Sequence, residues 1–141
     1  MMKSVILMRF LLAAAATAHP QEASGIVTKI IDGYTIEVSN LGCVRLADVA
    51  SVPANSKAGL MAREFTRDSL ANTQVFLDID NQTGRDKDGC WMCVVYKAFP
   101  NGTPNINANF NQMYVDAGYG RKSNNPDTEF NPANWSYKEA N

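Results

Sequence analysis

Three cysteines carry the widest chemical repertoire in this sequence. Cys90-Trp91-Met92-Cys93 has the C-x-x-C spacing of redox centres and zinc sites, and Cys43 is the third thiol. A structural zinc site needs a second pair of ligands, and only Cys43 and the single histidine, His19, are of the right type. The segment carrying Cys90 and Cys93 reads as a strand, where a separation of three sends the two side chains to opposite faces. A bridge from Cys43 to one of them is therefore expected ahead of a bridge between them, leaving one thiol free. Tyr34, Trp91, Tyr96 and Phe99 form a second set, able to stack bases or to pack in the core and rim. Three triplets, Asn81-Gln82-Thr83, Asn101-Gly102-Thr103 and Asn134-Trp135-Ser136, have the spacing of N-glycan acceptors, a pattern that an Asn-rich chain also makes by chance.

The elements that must hold these groups alternate in the manner of a small β domain. Gly25–Ile31 is rich in β-formers and ends at the turn signal Asp32-Gly33. Thr35–Val38 alternates polar and apolar residues, Asn40-Leu41-Gly42 turns the chain, and Val44–Val49 is a third strand. Pro53 breaks a loop over residues 51–55. Leu60, Met61, Phe65 and Leu70 then recur at near-helical spacing with Arg63, Glu64, Arg67 and Asp68 opposite, predicting a helix over 57–71. Gln74–Ile79 and Trp91–Tyr96 are two further strands around a polar hairpin loop, and a second helix is expected over 106–117, stopped by Gly118 and Gly120. The order βββ-α-ββ-α predicts an α+β fold, a five-stranded OB-type β-barrel plugged by a helix.

The amino end reads as a signal peptide over residues 1–18: Lys3 and Arg9, an apolar stretch from Val5 to Ala16, then Ala16-Thr17-Ala18 before His19. Its length and Arg9 argue against a stable membrane span, and a retained short anchor is the alternative. The expectation is a secreted, periplasmic or extracellular protein, with the domain over 19–121 and an Asn/Pro-rich tail over 122–141. The whole chain has 13 basic and 14 acidic residues. Without Lys3 and Arg9 the balance is 11 to 14, a net charge of −3. Such a chain is a poor general ligand for a polyanion, whose binding draws on Lys and Arg.

Four motifs in order resemble the staphylococcal nuclease family. Ile30-Ile31-Asp32-Gly33-Tyr34-Thr35 is similar to its V-I-D-G-D-T turn, and Val44-Arg45-Leu46-Ala47 to its third strand. Gly84–Cys90 is similar to its T-D-K-Y-G-R hairpin, and Asn107–Gly118 to its N-x-x-L-V-x-x-G helix. The resemblance implies calcium-dependent hydrolysis of DNA and RNA, with two aspartates on the metal, a glutamate on the attacking water and two arginines on the phosphate. A hard cation on oxygen ligands with guanidinium forks suits that chemistry. Carried over, the positions fall on Tyr34 and Ala50 for the metal, Pro53 for the glutamate, and Arg45 and Cys90 for the arginines, so Arg45 alone is retained. Asp32 and Asp48 are the substitute metal ligands and Arg85 the substitute arginine of a rearranged site, in which Ca2+ is the expected cofactor. Arg45 could instead form a structural ion pair with Asp32 or Glu37. The expected function is a catalytically degenerate binding module for single-stranded nucleic acid or a nucleotide, with Tyr34 and Tyr96 as stacking residues. The alternatives are a rearranged metal-dependent endonuclease and a binder of a non-nucleic-acid ligand.

Overall fold

The computed structural model describes residues 22–135; the expected signal segment 1–18 and the end of the tail lie outside them. The described elements are β1 (Ala23–Asp32), β2 (Thr35–Val38), β3 (Gly42–Leu46), β4 (Val49–Ser51), α1 (Lys57–Leu70), β5 (Gln74–Ile79), β6 (Trp91–Ala98), β7 (Pro104–Asn109), α2 (Phe110–Asp116) and β8 (Gly120–Lys122), then a 3-10 turn at Pro132–Asn134. β1 is long enough to serve two partners. Its first half, Ala23 to Ile26, pairs with β5, and its second half, from Val27, pairs with β2. β2 continues to β3 and β5 to β6, all antiparallel. A parallel pairing of β3 with β6, from Val44↔Trp91 to Leu46↔Cys93, then closes the barrel. The result is the expected OB-type α+β barrel, with β7 added beside β6 and a small β4–β8 sheet at its flank. Val27, Ile36, Val38, Val44, Leu46, Val75, Leu77, Cys93 and Val95 fill its interior. Closure leaves the five barrel strands without an open edge between them.

Cys43 and Cys90 each stand one residue before the first pair of the parallel seam. Their Cα atoms lie 4.6 Å apart and the two are joined in a disulfide. This is the Cys43 bridge that strand parity favours, and Cys93 is left as a buried free thiol.

α1 closes one end of the barrel with a face that keeps Leu70 and part of Phe65 from the expected apolar stripe but leaves out Leu60 and Met61. The buried stripe is Gly59, Ala62, Thr66 and Leu70. Clearance decides this. A side chain at Gly33, in the β1–β2 turn, would meet the Ala62 Cβ at 2.7 Å, and Thr66 Oγ1 donates to the Gly33 carbonyl. Small residues let the helix reach the turn, so Leu60 and Met61 stay 56% and 53% exposed. Ser56 starts the helix by accepting the Gly59 N–H at 2.9 Å.

The second helix begins later than expected, because residues 104–109 form β7 and α2 starts at Phe110. Asn105, Asn107 and Asn109 are weak helix formers. Asn109 serves instead as the cap, its Oδ1 accepting the Gln112 N–H at 3.1 Å. Fully buried Asn111 ties α2 to the barrel: Oδ1 accepts the Val95 N–H at 3.0 Å, and Nδ2 donates to the carbonyls of Ala47 and Cys93 at 3.0 and 3.1 Å. Beyond β8 the chain is irregular but docked, with Trp135 packed against the core. Among the described residues no helix is long and apolar enough to cross a membrane.

Candidate functional site

The side chain of Arg45 leaves the barrel between two buried neighbours, Val44 and Leu46, so strand alternation turns it outward. Its register partner on β2 is Thr35, whose Oγ1 accepts from Arg45 Nε at 3.0 Å. The guanidinium carbon lies 5.4 Å from the centre of the Tyr34 ring. The hairpin between β5 and β6 folds over this group. Arg45 Nη1 donates to Asp86 Oδ2 at 2.6 Å and to Asp88 Oδ2 at 3.0 Å. Arg45 therefore pairs with the hairpin and not with Asp32 or Glu37.

Asp86 is itself fixed. Its Oδ1 accepts the N–H groups of Asp88 and Cys90, each at 3.0 Å, and its own N–H donates to the Cys90 carbonyl at 2.9 Å. The neighbouring disulfide holds Cys90 to β3. The carboxylate thus arrives at Arg45 on a short, doubly anchored loop. Partial burial works against the Arg45 charge, but the hydrogen bond to Asp88 and the field of Asp86 outweigh it and raise its pKa. Reciprocally, the hydrogen bond from Arg45, then Lys87, lowers the pKa of Asp88.

The other candidate acids are engaged elsewhere. Asp32 Oδ1 accepts the Tyr34 N–H at 3.0 Å, an Asx turn within its own hairpin. Asp48, 5% exposed and at φ 55°, lies under the tail. Its Oδ2 accepts from Thr128 Oγ1 at 2.7 Å, its Oδ1 from the Asn125 N–H at 3.4 Å, and its carbonyl from the Ser123 N–H at 2.8 Å. Burial, with Asp80 adding to it, raises the Asp48 pKa against these hydrogen bonds. Between the Asp32 turn, the Ser51–Ala54 stretch and Gly59 the space is closed, and the Ser51 and Tyr114 hydroxyls meet there at 2.6 Å. Among the described residues no group of three or more His, Cys, Asp or Glu is placed to hold a metal ion.

Arg85 lies with its guanidinium carbon 4.4 Å from the Trp91 ring centre, and Trp91 and Tyr34 both pack partly against the core. Tyr96 is half-buried, and burial and then Asp78 raise its pKa. Its odd separation from Trp91 puts it on the other face of β6. Phe99 stands past the far end of that strand. The arrangement thus unites Arg45 and Tyr34 and sets Arg85 on Trp91, while Asp32, Asp48 and Tyr96 serve separate neighbourhoods.

One organising residue carried no signal in the sequence. Asp80 is fully buried and accepts N–H groups from Gln82, Thr83 and Glu129 at 3.0–3.2 Å. Asp86 and Asn111, also short polar side chains bonded to backbone, stand instead at the aspartate of T-D-K-Y-G-R and the asparagine of N-x-x-L-V-x-x-G. The outward face of α1 forms, with Tyr119, a groove of about 470 Å3 lined by Leu60, Met61 and Phe65. In comparisons with known proteins no family model and no curated protein matches this chain.

Proposed function

We propose that this chain is an exported, divergent staphylococcal-nuclease-like barrel that binds a ligand and does not hydrolyse phosphodiesters. One observation carries the reading: the guanidinium at the single retained family position, Arg45, is taken up by Asp86 and Asp88 on an anchored hairpin. A phosphate reaching Arg45 must displace two carboxylates, one of them bonded to two backbone N–H groups. The two metal positions and the glutamate position hold Tyr34, Ala50 and Pro53, which supply no carboxylate. The net charge of −3 after the leader points the same way, toward a ligand other than a long polyanion.

A nucleotide or short single strand is the second reading, favoured by the Arg45–Tyr34 and Arg85–Trp91 pairs beside the same seam. The test is a nuclease assay on the chain from His19, with single-stranded DNA and RNA, in calcium, magnesium or chelator. No cleavage above an Arg45→Ala control is expected. Metal-stimulated cleavage that disappears in that variant would overturn the proposal. Filter binding at low salt separates the two ligand readings, since tight single-strand binding with a steep salt slope favours the second.

A further inference from the structure

The tip of the β6–β7 hairpin is a five-residue segment, Phe99-Pro100-Asn101-Gly102-Thr103, between the paired residues Ala98 and Pro104. The Gly102 N–H donates to the Phe99 carbonyl at 2.9 Å and the Phe99 N–H to the Thr103 carbonyl at 2.8 Å, with Gly102 at φ 89°. This is a type I turn closed by a glycine bulge, with proline at the position whose fixed φ it suits. Phe99 and Thr103 face each other across it and so project from one side of the ribbon. Asn101 is on that side too, because Thr103 Oγ1 donates to Asn101 Oδ1 at 2.7 Å and the Thr103 N–H donates to the same oxygen at 3.1 Å. Phe99 is 46% exposed. The tip therefore presents an acceptor triplet with its hydroxyl already on the asparagine carbonyl, beside an uncovered aromatic ring.

We propose that Asn101 is an N-glycosylation site and that its first sugar stacks on the Phe99 ring. The inference goes beyond the binding reading and does not depend on it. The donor class is an oligosaccharide on a lipid diphosphate. A bond forms between Asn101 Nδ2 and the sugar C1, the bond from C1 to the diphosphate oxygen breaks, and the lipid diphosphate leaves. The proton lost from Nδ2 passes to a base of the transferase, and no electron donor or acceptor is needed. Hydrogen bonding of Oδ1 by Thr103 makes an Nδ2 proton easier for that base to remove, which frees the nitrogen pair for the attack. The C–H face of the attached sugar then covers the electron-rich face of Phe99.

The Asn81 triplet lacks this arrangement, and the third triplet ends at Ser136, outside the described residues. Asn81 Nδ2 donates to Glu22 Oε2 at 3.0 Å and Thr83 Oγ1 donates to the Asp127 carbonyl at 3.0 Å, so both ends of that triplet are engaged by distant chain. The residue two before Asn81 is Ile79, and two before Asn134 is Pro132, so neither carries an aromatic ring.

The test uses the full chain in two arms: secretion from yeast, and reaction of the folded chain with purified oligosaccharyltransferase and lipid-linked donor, which needs no export. Release of glycans by peptide N-glycosidase in heavy-oxygen water marks each modified asparagine for mass spectrometry. Asn101 should be marked in the purified reaction and be the most fully marked site in the secreted protein. An unmarked Asn101 in the purified reaction, or in protein recovered from the medium, overturns the site. For the stack, glycans are trimmed to one sugar and the Tm is compared with that of the same chain made without glycan. A rise of about 2 to 8 °C is expected, taking an aromatic stacking contact as the guide. Phe99→Ala and Phe99→Leu should each lose at least half of that rise at unchanged Asn101 occupancy. An equal rise in both variants would overturn the stacking.

Discussion

Replacing Cys43 and Cys90 together by serine should cost the barrel about 4 kcal/mol. The bridge spans 47 residues and ties the parallel β3–β6 seam, which like the β1–β5 ladder joins strands separated by α1 and other strands. The β1–β2, β2–β3 and β5–β6 ladders join consecutive barrel strands, so their closure is cheaper in chain entropy. For a loop of that length the cross-link removes about 14 cal/mol/K from the unfolded chain, which is about 4 kcal/mol at 25 °C. With a urea slope of ~2 kcal/mol/M for a domain of this size, the unfolding midpoint should fall by about 2 M. Tryptophan fluorescence follows the transition, since Trp91 and Trp135 both pack against the core. Wild type held in a dithiol reductant should match the serine pair. A loss below about 1 kcal/mol in both would refute the reasoning, because the ladder and the Arg45 ion pairs would then be closing the seam unaided.

Asp86→Ala should cost about 1–3 kcal/mol and Arg45→Met about 1 kcal/mol or less, because Asp86 also satisfies two backbone N–H groups while Arg45 adds a part-exposed ion pair; urea midpoints in the reverse order would contradict the role given to the hairpin. Asp48 has a folded pKa above its ordinary 3.8, first through burial, so its charge costs stability above that folded pKa and the cost disappears as pH falls through it. Wild type should therefore gain stability relative to Asp48→Asn between pH 7 and pH 4, and denaturation series giving a constant or opposite difference would show that the buried charge is not the cause. Asn111→Ala leaves the Val95 N–H and two carbonyls without their partner at a fully buried site, and should cost about 3–5 kcal/mol by thermal or urea unfolding.

The strand order was legible because each meander strand follows a turn signal of its own: Asp32-Gly33 ends β1 and residues 40–42 lead into β3. Parity favoured a Cys43 bridge over a Cys90–Cys93 one, but which cysteine meets Cys43 depended on a parallel register set by chain 47 residues away. The face of α1 was misread in part, at Leu60 and Met61 but not at Phe65 and Leu70, for a related reason. Side-chain size marked Leu60 and Met61, whereas the approach of Gly33 selected Ala62 and Thr66, and that distance belongs to the packed helix and turn together. Residues 106–109 were read as part of one helix running to the stop at Gly118 and Gly120; the asparagines at 105, 107 and 109 favoured extended chain and a cap. At the site, Arg45 was identifiable from its motif, while its partners were not. Asp86 and Asp88 look like ordinary loop acids until the hairpin is folded over β3.

The docking of the tail has a consequence for synthesis. When the ribosome has delivered the chain through β8, every barrel strand is available, yet two carboxylates destined for burial still lack their late partners. Asp48 awaits Asn125 and Thr128, and Asp80 awaits Glu129. Translation of the last dozen or so described residues therefore supplies the polar groups that let both acids leave water. The barrel is committed only after its strands are complete, and a chain released a few residues early exposes its C-terminal rim to quality control.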